Sequence, residues 1–389
     1  MQYFTNYSAT GRAEFMPTEE HRDLWQYLRR RHLDGAHIVM YGLGNGADKI
    51  LAVCERYGIE VSDFFASDGF VRGHLFHGKT VLSYSDVKEK YGTDGMIILL
   101  SFASARPDVI ENIERIAAEC ELYAPDVPVF GDTLFDSDYY TQNLDSIRTV
   151  RELFADEESK RVLDGIIAFK LSGRIDLLRA TESSAEDAYK NILHTERFCT
   201  AADLGAYNGD TIRKLLEYAP NLTDIIAFEP DRRNFKKLSD YSENEPRCRI
   251  HPINAGAWSE KTVLEFDDSG NRNANLARNT SSVLLDGAKK IKIKSVETDT
   301  LDRVAAELGL ENIDYVKYDV EGSEKEALLG SQQIIRDNAP ALLVSLYHRS
   351  EDIFTLPIML SRMQPRYKFY LRRMTGIPAW DINLYATVL

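Results

Sequence analysis

Apolar runs alternate with segments of helical periodicity over the first third of the chain. Three of the runs predict buried strands: His37–Tyr41, Val61–Phe65 and Gly95–Leu100. Val109–Glu121 has the spacing of an amphipathic helix, and Val127–Phe130 predicts a short last strand. Strands that alternate with helices are typical of a parallel, doubly wound sheet, so residues 1–131 are predicted to form a Rossmann-like domain.

Residues 132–195 differ, because they show helical periodicity and no strand pattern. Apolar residues recur at helical spacing in two stretches, 144–154 and 162–169. Such stretches are typical of amphipathic helices that pack on a neighbouring element. We therefore predict that residues 132–195 form a helical linker between two domains.

The remainder of the chain, residues 196–389, returns to apolar runs separated by helical segments. Eight runs predict strands: Thr200–Leu204, Ile225–Phe228, Arg249–Ile253, Val263–Phe266, Tyr315–Tyr318, Ala341–Leu346, Lys368–Leu371 and Leu384–Val388. The strands nearest the C-terminus have the character of an antiparallel hairpin. We predict a second Rossmann-like, doubly wound α/β domain with a seven-stranded sheet.

Length, charge and cysteine usage narrow the class of protein. The chain has 389 residues, which favours two domains, and its net charge of −14 argues against nucleic-acid binding because phosphate contacts need a basic face. Its four cysteines are scattered without metal-ligand spacing, as expected in a reducing compartment. No secretory signal and no apolar run of about 18 residues is visible, so we expect a cytoplasmic protein without a membrane span.

The stretch Asp203–Thr211 follows an apolar run, precedes a helical segment and has the pattern Asp-x-Gly-x-x-x-Gly. Its two glycines allow the backbone to turn sharply and to approach a ligand closely. Asp203 at the strand end can pair with the cationic methionine part of S-adenosylmethionine (SAM). The spacing differs from the Gly-x-Gly-x-x-Gly fingerprint of dinucleotide-binding proteins. The predicted SAM-binding residues in this loop are Asp203, Gly205, Ala206, Tyr207, Asn208, Gly209 and Thr211.

Glu229 ends the next predicted strand and is followed by Pro230, which stops that strand. An acid about 20 residues beyond a glycine-rich turn is placed to accept hydrogen bonds from both ribose hydroxyls of a nucleoside. We therefore add Glu229 and Pro230 to the predicted cofactor site. The alternative is an ordinary α/β turn with a solvated glutamate.

Asp319 and Glu321 stand two positions apart after the predicted strand Tyr315–Tyr318. Side chains at i and i+2 of a strand share a face, and ligands bind beyond the carboxyl edge of such sheets. Both carboxylates are candidates for contact with SAM, with substrate hydroxyls or with Mg²⁺. The alternative for Glu321 is that it caps the following helix. Lys317, inside the strand, is expected to pair with a nearby carboxylate.

His348 follows the predicted strand Ala341–Leu346 on the expected ligand side of the sheet. Methyl transfer to a hydroxyl group requires removal of a proton, and histidine has the unperturbed pKa nearest neutrality. His348 is therefore the candidate general base, with Asp319 or Glu321 to orient its ring, to position the acceptor or to hold Mg²⁺. The alternative is a surface histidine or a hydrogen-bonded core histidine without a catalytic role.

Two further segments are candidates for ligand contacts. Asn254 and Ala255 follow the third predicted strand of the second domain, a region that flanks the adenine in SAM-binding folds. Trp258 lies close by and is expected in the core. The polar stretch Asn279–Ser282 is equally compatible with contacts to substrate hydroxyls and with an ordinary surface turn.

Several blocks of the second half carry a resemblance to a known family: Asp203–Thr211, Phe228–Asp231, Asp314–Glu324, Ala327–Gly330, Val344–Asp352, Tyr367–Arg372 and Asn383–Ala386. Together they resemble the FkbM-type methyltransferases over about residues 196–389. The resemblance implies a SAM-dependent methyltransferase fold. It also implies O-methylation of a sugar or another hydroxylated small molecule, and we keep a homo-oligomer open.

The first half offers a competing interpretation. Gly42-Leu-Gly-Asn-Gly46 follows a predicted strand, and a helix N-terminus at this point attracts phosphate. Asp68 near the end of the next strand is then placed to meet a ribose. These features favour a nucleotide- or NAD-binding oxidoreductase-like or regulatory module as the alternative function, although the third glycine of the fingerprint is missing. A scaffold domain that binds nothing is equally compatible with the pattern.

Overall fold

The computed structural model describes residues 22–69, 71, 73–267 and 293–388. Packing divides the chain into two compact units. Unit 1 contains the described residues of Met1–Asp126 together with Asp136–Asp138 and Gly165–Leu178, and unit 2 contains Val127–Phe135, Tyr139–Asp164 and the described residues of Arg179–Leu389. The predicted linker, residues 132–195, thus contributes residues to both units.

Unit 1 is built on a parallel sheet. Its strands are β1 (His37–Tyr41), β2 (Val61–Ala66), β3 (Leu75–Phe76), β4 (Lys79–Thr80), β5 (Leu82–Ser83), β6 (Met96–Leu100) and β7 (Glu121–Tyr123). Its helices are α1 (Leu24–Leu33), α2 (Asn45–Tyr57), α3 (Tyr84–Tyr91) and α4 (Pro107–Glu119). Five strands pair in parallel in the order β5-β2-β1-β6-β7, while β3 and β4 form a separate antiparallel pair.

The local sequence explains these elements. All five residues of β6 are buried, as expected of a continuous apolar run in a parallel sheet that is covered on both faces. Helix α2 ends at Gly58, whose φ of 66° is a left-handed conformation that favours glycine. Helix α4 begins at Pro107, which needs no N–H partner at the first helical position. The predicted Rossmann-like sheet is therefore confirmed.

The last strand of unit 1 does not lie at the predicted position, Val127–Phe130. The strand is β7, directly after α4, and Val127–Phe130 has no strand conformation. Pro128 in that segment has no N–H group to donate to a ladder. The N–H of Phe130 instead donates to the carbonyl oxygen of His348 at 2.8 Å within unit 2.

Helices dominate the segment between the two sheets, as predicted. They are α5 (Ser137–Gln142), α6 (Leu144–Leu153), α7 (Glu157–Ser172), α8 (Ile175–Arg179) and α9 (Ala185–Asp187), followed by a π-helical turn (Ala188–Ile192) and a 3₁₀ turn (Thr195–Arg197). None of the helices in the described part of the chain is long and apolar enough to cross a membrane.

Unit 2 contains a seven-stranded sheet. The strands of the whole unit, which also include those of a smaller sheet, are β8 (Thr200–Leu204), β9 (Asp224–Phe228), β10 (Arg249–Ile253), β11 (Gly256–Ala257), β12 (Thr262–Asp267), β13 (Ile293–Asp299), β14 (Tyr315–Tyr318), β15 (Ala341–Ser345), β16 (Lys368–Arg373) and β17 (Ile382–Thr387). Its helices are α10 (Asp210–Tyr218), α11 (Arg232–Ser242), α12 (Leu301–Leu308), α13 (Glu324–Leu329), α14 (Gln332–Asn338) and α15 (Asp352–Met363).

The strand order of this sheet is β10-β9-β8-β14-β15-β17-β16, and β17 is antiparallel to both of its neighbours. The other pairs in the sheet are parallel. The direction of winding reverses between β8 and β14, which are adjacent in space and distant in sequence. In doubly wound sheets ligands bind beyond the carboxyl ends of the strands at such a switch point. The predicted seven-stranded sheet is confirmed. Its switch point predicts a ligand site beyond the carboxyl ends of β8 and β14.

A small second sheet in unit 2 was not predicted. The run predicted as Val263–Phe266 lies in β12, which pairs antiparallel with β13, and β11 pairs parallel with β13. These three strands are not part of the seven-stranded sheet. The segment between β12 and β13, with the predicted polar loop Asn279–Ser282, lies outside the described residues.

Candidate functional site

The loop after β8 turns through two glycines that have a left-handed backbone. Gly205 has a φ of 91° and Gly209 a φ of 84°. A Cβ on Gly205 would lie 1.9 Å from the carbonyl oxygen of Asp319, and a Cβ on Gly209 would lie 2.5 Å from the ring of Tyr241. The two glycines therefore allow close packing of the loop against β14 and α11 as well as the sharp turn.

Replacing Gly205 with alanine is expected to destabilise unit 2 by more than about 2 kcal/mol, since a left-handed backbone alone costs about 1–2 kcal/mol and the new methyl group would also overlap a carbonyl oxygen. Gly309→Ala is the matched control. Gly309 has a φ of 69°, and a Cβ added there would meet no atom within 4 Å, so only the backbone cost applies. Urea unfolding of the full chain measures both changes, and equal losses would contradict the packing argument.

A buried cation links the ends of β8 and β14. Lys317 Nζ lies 3.3 Å from Asp203 Oδ1 and 3.4 Å from Asp319 Oδ2, which confirms the predicted pairing of this lysine. Thr211 donates its hydroxyl hydrogen to Asp203 Oδ2. Burial raises the pKa of Asp203, and the charge of Lys317 acts in the opposite direction. Both oxygens of Asp203 thus have partners inside the protein, and its contact with a methionine group stays a prediction.

Glu229 is positioned by the same loop. Its Oε2 accepts a hydrogen bond from the Tyr207 N–H at 2.9 Å, and its Oε1 accepts one from the Asp231 N–H at 2.8 Å. Burial raises the pKa of Glu229 to about 7, although the two N–H donors lower it. Asn254, which follows the neighbouring strand β10, donates to the Glu229 carbonyl oxygen at 2.9 Å and to that of Pro230 at 3.4 Å. The carboxylate is held in a fixed orientation at the carboxyl end of β9.

Other residues of the predicted cofactor site lie around this carboxylate. Ala206 is fully buried, and its N–H donates to the carbonyl oxygen of Phe228 at 2.9 Å. Ala255 is also buried, whereas Trp258 is partly buried. Asn208 Oδ1 is a buried acceptor without a hydrogen-bond partner among the described residues. An unpaired buried acceptor is costly, so this atom is the best-placed group of the loop to receive a donor from a ligand.

The turn after β14 contradicts the prediction that Asp319 and Glu321 share a strand face. Strand β14 ends at Tyr318, so the two acids do not share a strand face. Glu321 has a φ of 54° and an 82% exposed side chain, and no side chain caps helix α13. The left-handed turn nevertheless brings both carboxylates to the same atom, because Asp319 Oδ1 and Glu321 Oε2 each lie 3.6 Å from His348 Nε2.

His348 is fully buried at this point. Its Nδ1 lies 2.8 Å from Glu324 Oε1. Burial alone would lower the pKa of His348, but the negative charges of Glu324, Asp319 and Glu321 outweigh it and raise the pKa to about 9. A protonated imidazole is therefore favoured near neutral pH, and the role of His348 as general base stays a prediction.

Glu324 was not predicted as a site residue, although it belongs to the block Asp314–Glu324. It is buried, and its Oε1 accepts hydrogen bonds from the Val320 N–H at 3.0 Å and the Gly322 N–H at 3.3 Å. The signal was present as a third acid in that block. Its contact with His348 joins α13 to the segment after β15, and spacing alone does not show such a contact.

A pair of aromatic side chains beside the acids was also missed. Tyr347 donates its hydroxyl hydrogen to Asp319 Oδ1 at 3.2 Å. Its ring stacks with that of Trp380 at a centroid distance of 6.3 Å and an angle of 24°. Trp380 is 44% exposed, so an apolar ring face borders the acidic cluster.

The glycine loop of unit 1, residues 42–46, packs closely against neighbouring residues of the same unit. A Cβ on Gly42 would lie 2.6 Å from the ring of Phe102, and one on Gly46 would lie 2.0 Å from the carbonyl oxygen of Ser101. Asp68 accepts hydrogen bonds from the N–H and the hydroxyl group of Ser85, at 3.1 and 2.9 Å. These contacts explain the residues as packing and loop-fixing groups, and nucleotide binding in unit 1 stays an untested alternative.

Comparisons with known proteins agree with the resemblance in the second half. Residues 203–369 match the family model of the methyltransferase FkbM domain. The curated relative 2-O-methyltransferase NoeI of Sinorhizobium fredii (strain NBRC 101917 / NGR234) is 28% identical over 149 residues, which are 34% of this chain and 57% of that protein. This chain thus spans little more than half the length of that relative.

The crystal structure of methyltransferase FkbM from Methylobacillus flagellatus KT has the same fold, with a TM-score of 0.68 at 19% identity. The match covers 95% of both chains. The similarity therefore extends through the first half of the chain as well as the second, and the mixed α/β architecture of both units is shared.

Proposed function

We propose that this chain, whose residues 203–369 match the family model of the methyltransferase FkbM domain, transfers the methyl group of SAM to a hydroxyl group of a sugar or another polyhydroxylated small molecule. The observation that carries the proposal is Glu229, a buried carboxylate fixed by two N–H donors at the carboxyl end of β9. An ionised carboxylate only accepts hydrogen bonds, which suits the two hydroxyls of a ribose.

The residues around Glu229 fit SAM. Asn208 Oδ1 is a buried acceptor that needs a donor, and SAM carries an amino group and hydroxyl groups. The other residues that we assign to the cofactor are those predicted from the sequence: Asp203, Gly205, Ala206, Tyr207, Gly209, Thr211, Pro230, Asn254 and Ala255. When bound, SAM would supply a methyl group on a sulfonium sulfur, which leaves as a neutral thioether.

The acceptor side of the proposal rests on the acids and the exposed ring. Trp380 offers an apolar face of the kind that stacks on the C–H face of a sugar, and Asp319 offers a carboxylate for its hydroxyls. The name of the relative, 2-O-methyltransferase NoeI, agrees with transfer to oxygen. We therefore place the acceptor beside Tyr347 and Trp380, as a small molecule in the cytoplasm and not a nucleic acid.

A hydroxyl group is a weak nucleophile near neutral pH, so its proton must be removed during transfer. We assign this step to the group of Asp319, Glu321 and His348. The positive charges of Lys317 and His348 outweigh the effect of burial and lower the pKa of Asp319, so its carboxylate is ionised and is placed to orient the hydroxyl. His348 acts as a base only after it has lost its own proton.

SAM affinity is expected to depend on pH through Glu229. The group has a pKa of about 7 without ligand, and only its ionised form accepts two hydroxyl hydrogens. At pH 5.5 about 3% of the group is ionised, so the dissociation constant for SAM is expected to be about 30-fold larger than at pH 8.5. Isothermal titration calorimetry at the two pH values measures this ratio.

Glu229→Gln is expected to weaken SAM binding roughly 10- to 100-fold at pH 8.5 and to remove most of the pH dependence, since the hydrogen bonds to a charged acceptor are lost. Glu217→Gln, an exposed acid on α10, is the matched control. Absence of SAM binding by folded wild-type protein would refute the methyltransferase proposal. Tight binding with no pH dependence would refute only the role of Glu229.

A further inference from the structure

The imidazole of His348 presents one nitrogen that the described residues leave without a hydrogen bond. Nε2 is buried and has no hydrogen-bond partner in the described part of the chain. It faces Asp319 Oδ1 and Glu321 Oε2, each at 3.6 Å, which is too long for a hydrogen bond. The nitrogen is thus close to two carboxylates and bonded to neither.

The other side of the ring fixes its orientation. Glu324 is 1% exposed, and its Oε1 lies 2.8 Å from His348 Nδ1, so the hydrogen on Nδ1 points at this carboxylate. In the neutral ring the lone pair of Nε2 then points at Asp319 and Glu321. A lone pair and two carboxylates repel one another, so positive charge is needed between them. A proton supplies that charge, but at these distances it leaves the carboxylates without a good hydrogen bond.

We propose that His348 Nε2, Asp319 and Glu321 bind a divalent first-row transition cation such as Mn²⁺. Nε2 lies 3.6 Å from one oxygen of each carboxylate, so a cation held by the nitrogen reaches both carboxylates with small side-chain movements. Glu324 adds a third carboxylate beside the ring, because ligand atoms of Asp319, Glu324 and His348 all lie within 4.8 Å of one another. The site differs from the Mg²⁺ pair of the sequence analysis by its imidazole nitrogen, which favours transition cations over Mg²⁺.

Two other features of the cluster support the site. The hydrogen bond from Nδ1 to Glu324 is the outer-shell contact that orients metal-binding histidines and raises their basicity. The side chain of Glu321 is 82% exposed and that of Asp319 is 28% exposed, so a cation reaches the donors from solvent. With three protein ligands, such a cation keeps positions for water or for an acceptor hydroxyl. The binding of the cation itself does not depend on methyl transfer.

Titration of the full chain with Mn²⁺, without SAM or acceptor, tests the proposal. Mn²⁺ is the probe because it prefers oxygen and nitrogen donors and avoids the free thiols, of which Cys199 is exposed. Counting bound Mn²⁺ by EPR is expected to show one ion per chain, with a pulsed-EPR coupling from an imidazole nitrogen. Glu321→Gln is expected to weaken binding at least about ten-fold, and Glu324→Gln by roughly 10- to 100-fold.

Glu311→Gln, an exposed acid outside the cluster, is the matched control and is expected to bind like the wild type. The Glu321 variant changes an exposed side chain, so its folding is not in question. The proposal is overturned if folded wild-type protein binds no stoichiometric Mn²⁺. It is also overturned if binding shows no nitrogen coupling or survives unchanged in the Glu321 and His348→Gln variants. Failure of SAM binding in a separate titration would leave this result untouched.

Discussion

Lys317→Met is expected to destabilise unit 2 by about 3–5 kcal/mol, because it leaves two buried carboxylates without their cation. The Lys317 side chain is 10% exposed and lies within 3.4 Å of both Asp203 and Asp319. Burial alone would lower the pKa of Lys317, but these two acids raise it above its usual value. The lysine is therefore charged near neutral pH.

The loss of stability in the Lys317→Met variant is also expected to depend on pH. Burial already raises the pKa of Asp203 and Lys317 opposes that rise, so without Lys317 the folded-state pKa of Asp203 lies further above the unfolded value of about 3.9. Stability is then lost as the pH rises through the folded-state value. The deficit of the variant, measured by urea unfolding, should be larger at pH 8 than at pH 4. Lys190→Met is the control, since its ion pair with Glu186 is exposed and contributes about 0.3–0.5 kcal/mol. Equal losses for both lysines would contradict the buried-pair interpretation.

His348→Ala is expected to reduce turnover by about two orders of magnitude or more while SAM affinity changes little. His348 follows β15 beside the acids assigned to the acceptor, whereas Asn208 lies on the loop after β8 and Glu229 follows β9. His348→Gln is a second variant that keeps more of the buried volume and retains a polar group near Glu324. Methyl transfer from labelled SAM to acceptors in a cell extract, followed by mass spectrometry of the products, measures turnover.

His251→Ala is the control for loss of a histidine–carboxylate pair, because His251 lies 3.0 Å from Asp224 at the start of β9, on the opposite edge of the sheet. EDTA separates two roles of His348. If His348 is the base, turnover rises towards a pH of about 9, the pKa of the ring, and EDTA has no effect. If it is a metal ligand, EDTA abolishes turnover. Normal turnover of both His348 variants would contradict either role.

The local pattern of the sequence predicted most of the sheet. Continuous apolar runs such as Met96–Leu100 and Tyr315–Tyr318 are buried in the structure because parallel strands are covered on both faces. The position of Lys317 inside such a run predicted its ion pair, since a buried ammonium requires a carboxylate. These inferences needed only neighbours in the chain and the rules of a parallel sheet.

Contacts between distant segments and unusual backbone turns were beyond such patterns. Glu321 lies close to His348 because its backbone is left-handed, and the sequence around Glu321 does not predict such a turn. Glu324 and Trp380 reach the same cluster from a helix and from a hairpin turn, and neither has a periodic signal. The strand β13 was missed for a different reason, because its charged residues Lys294 and Glu297 interrupt the apolar pattern. The contacts of the glycine loop after β8 were therefore more predictable than the contacts around His348.

The switch point of the seven-stranded sheet separates the residues that the proposed function assigns to the cofactor from those that it assigns to the acceptor. Groups assigned to the cofactor follow β8, β9 and β10, whereas groups assigned to the acceptor follow β14, β15 and the turn before β17. Under the proposed assignment, substitutions around Trp380 change recognition of the acceptor and leave the residues assigned to the cofactor in place. Lys317 joins the two halves through Asp203 and Asp319, so it limits how far either half evolves alone. A library for engineering new acceptors is best confined to the turn that carries Trp380.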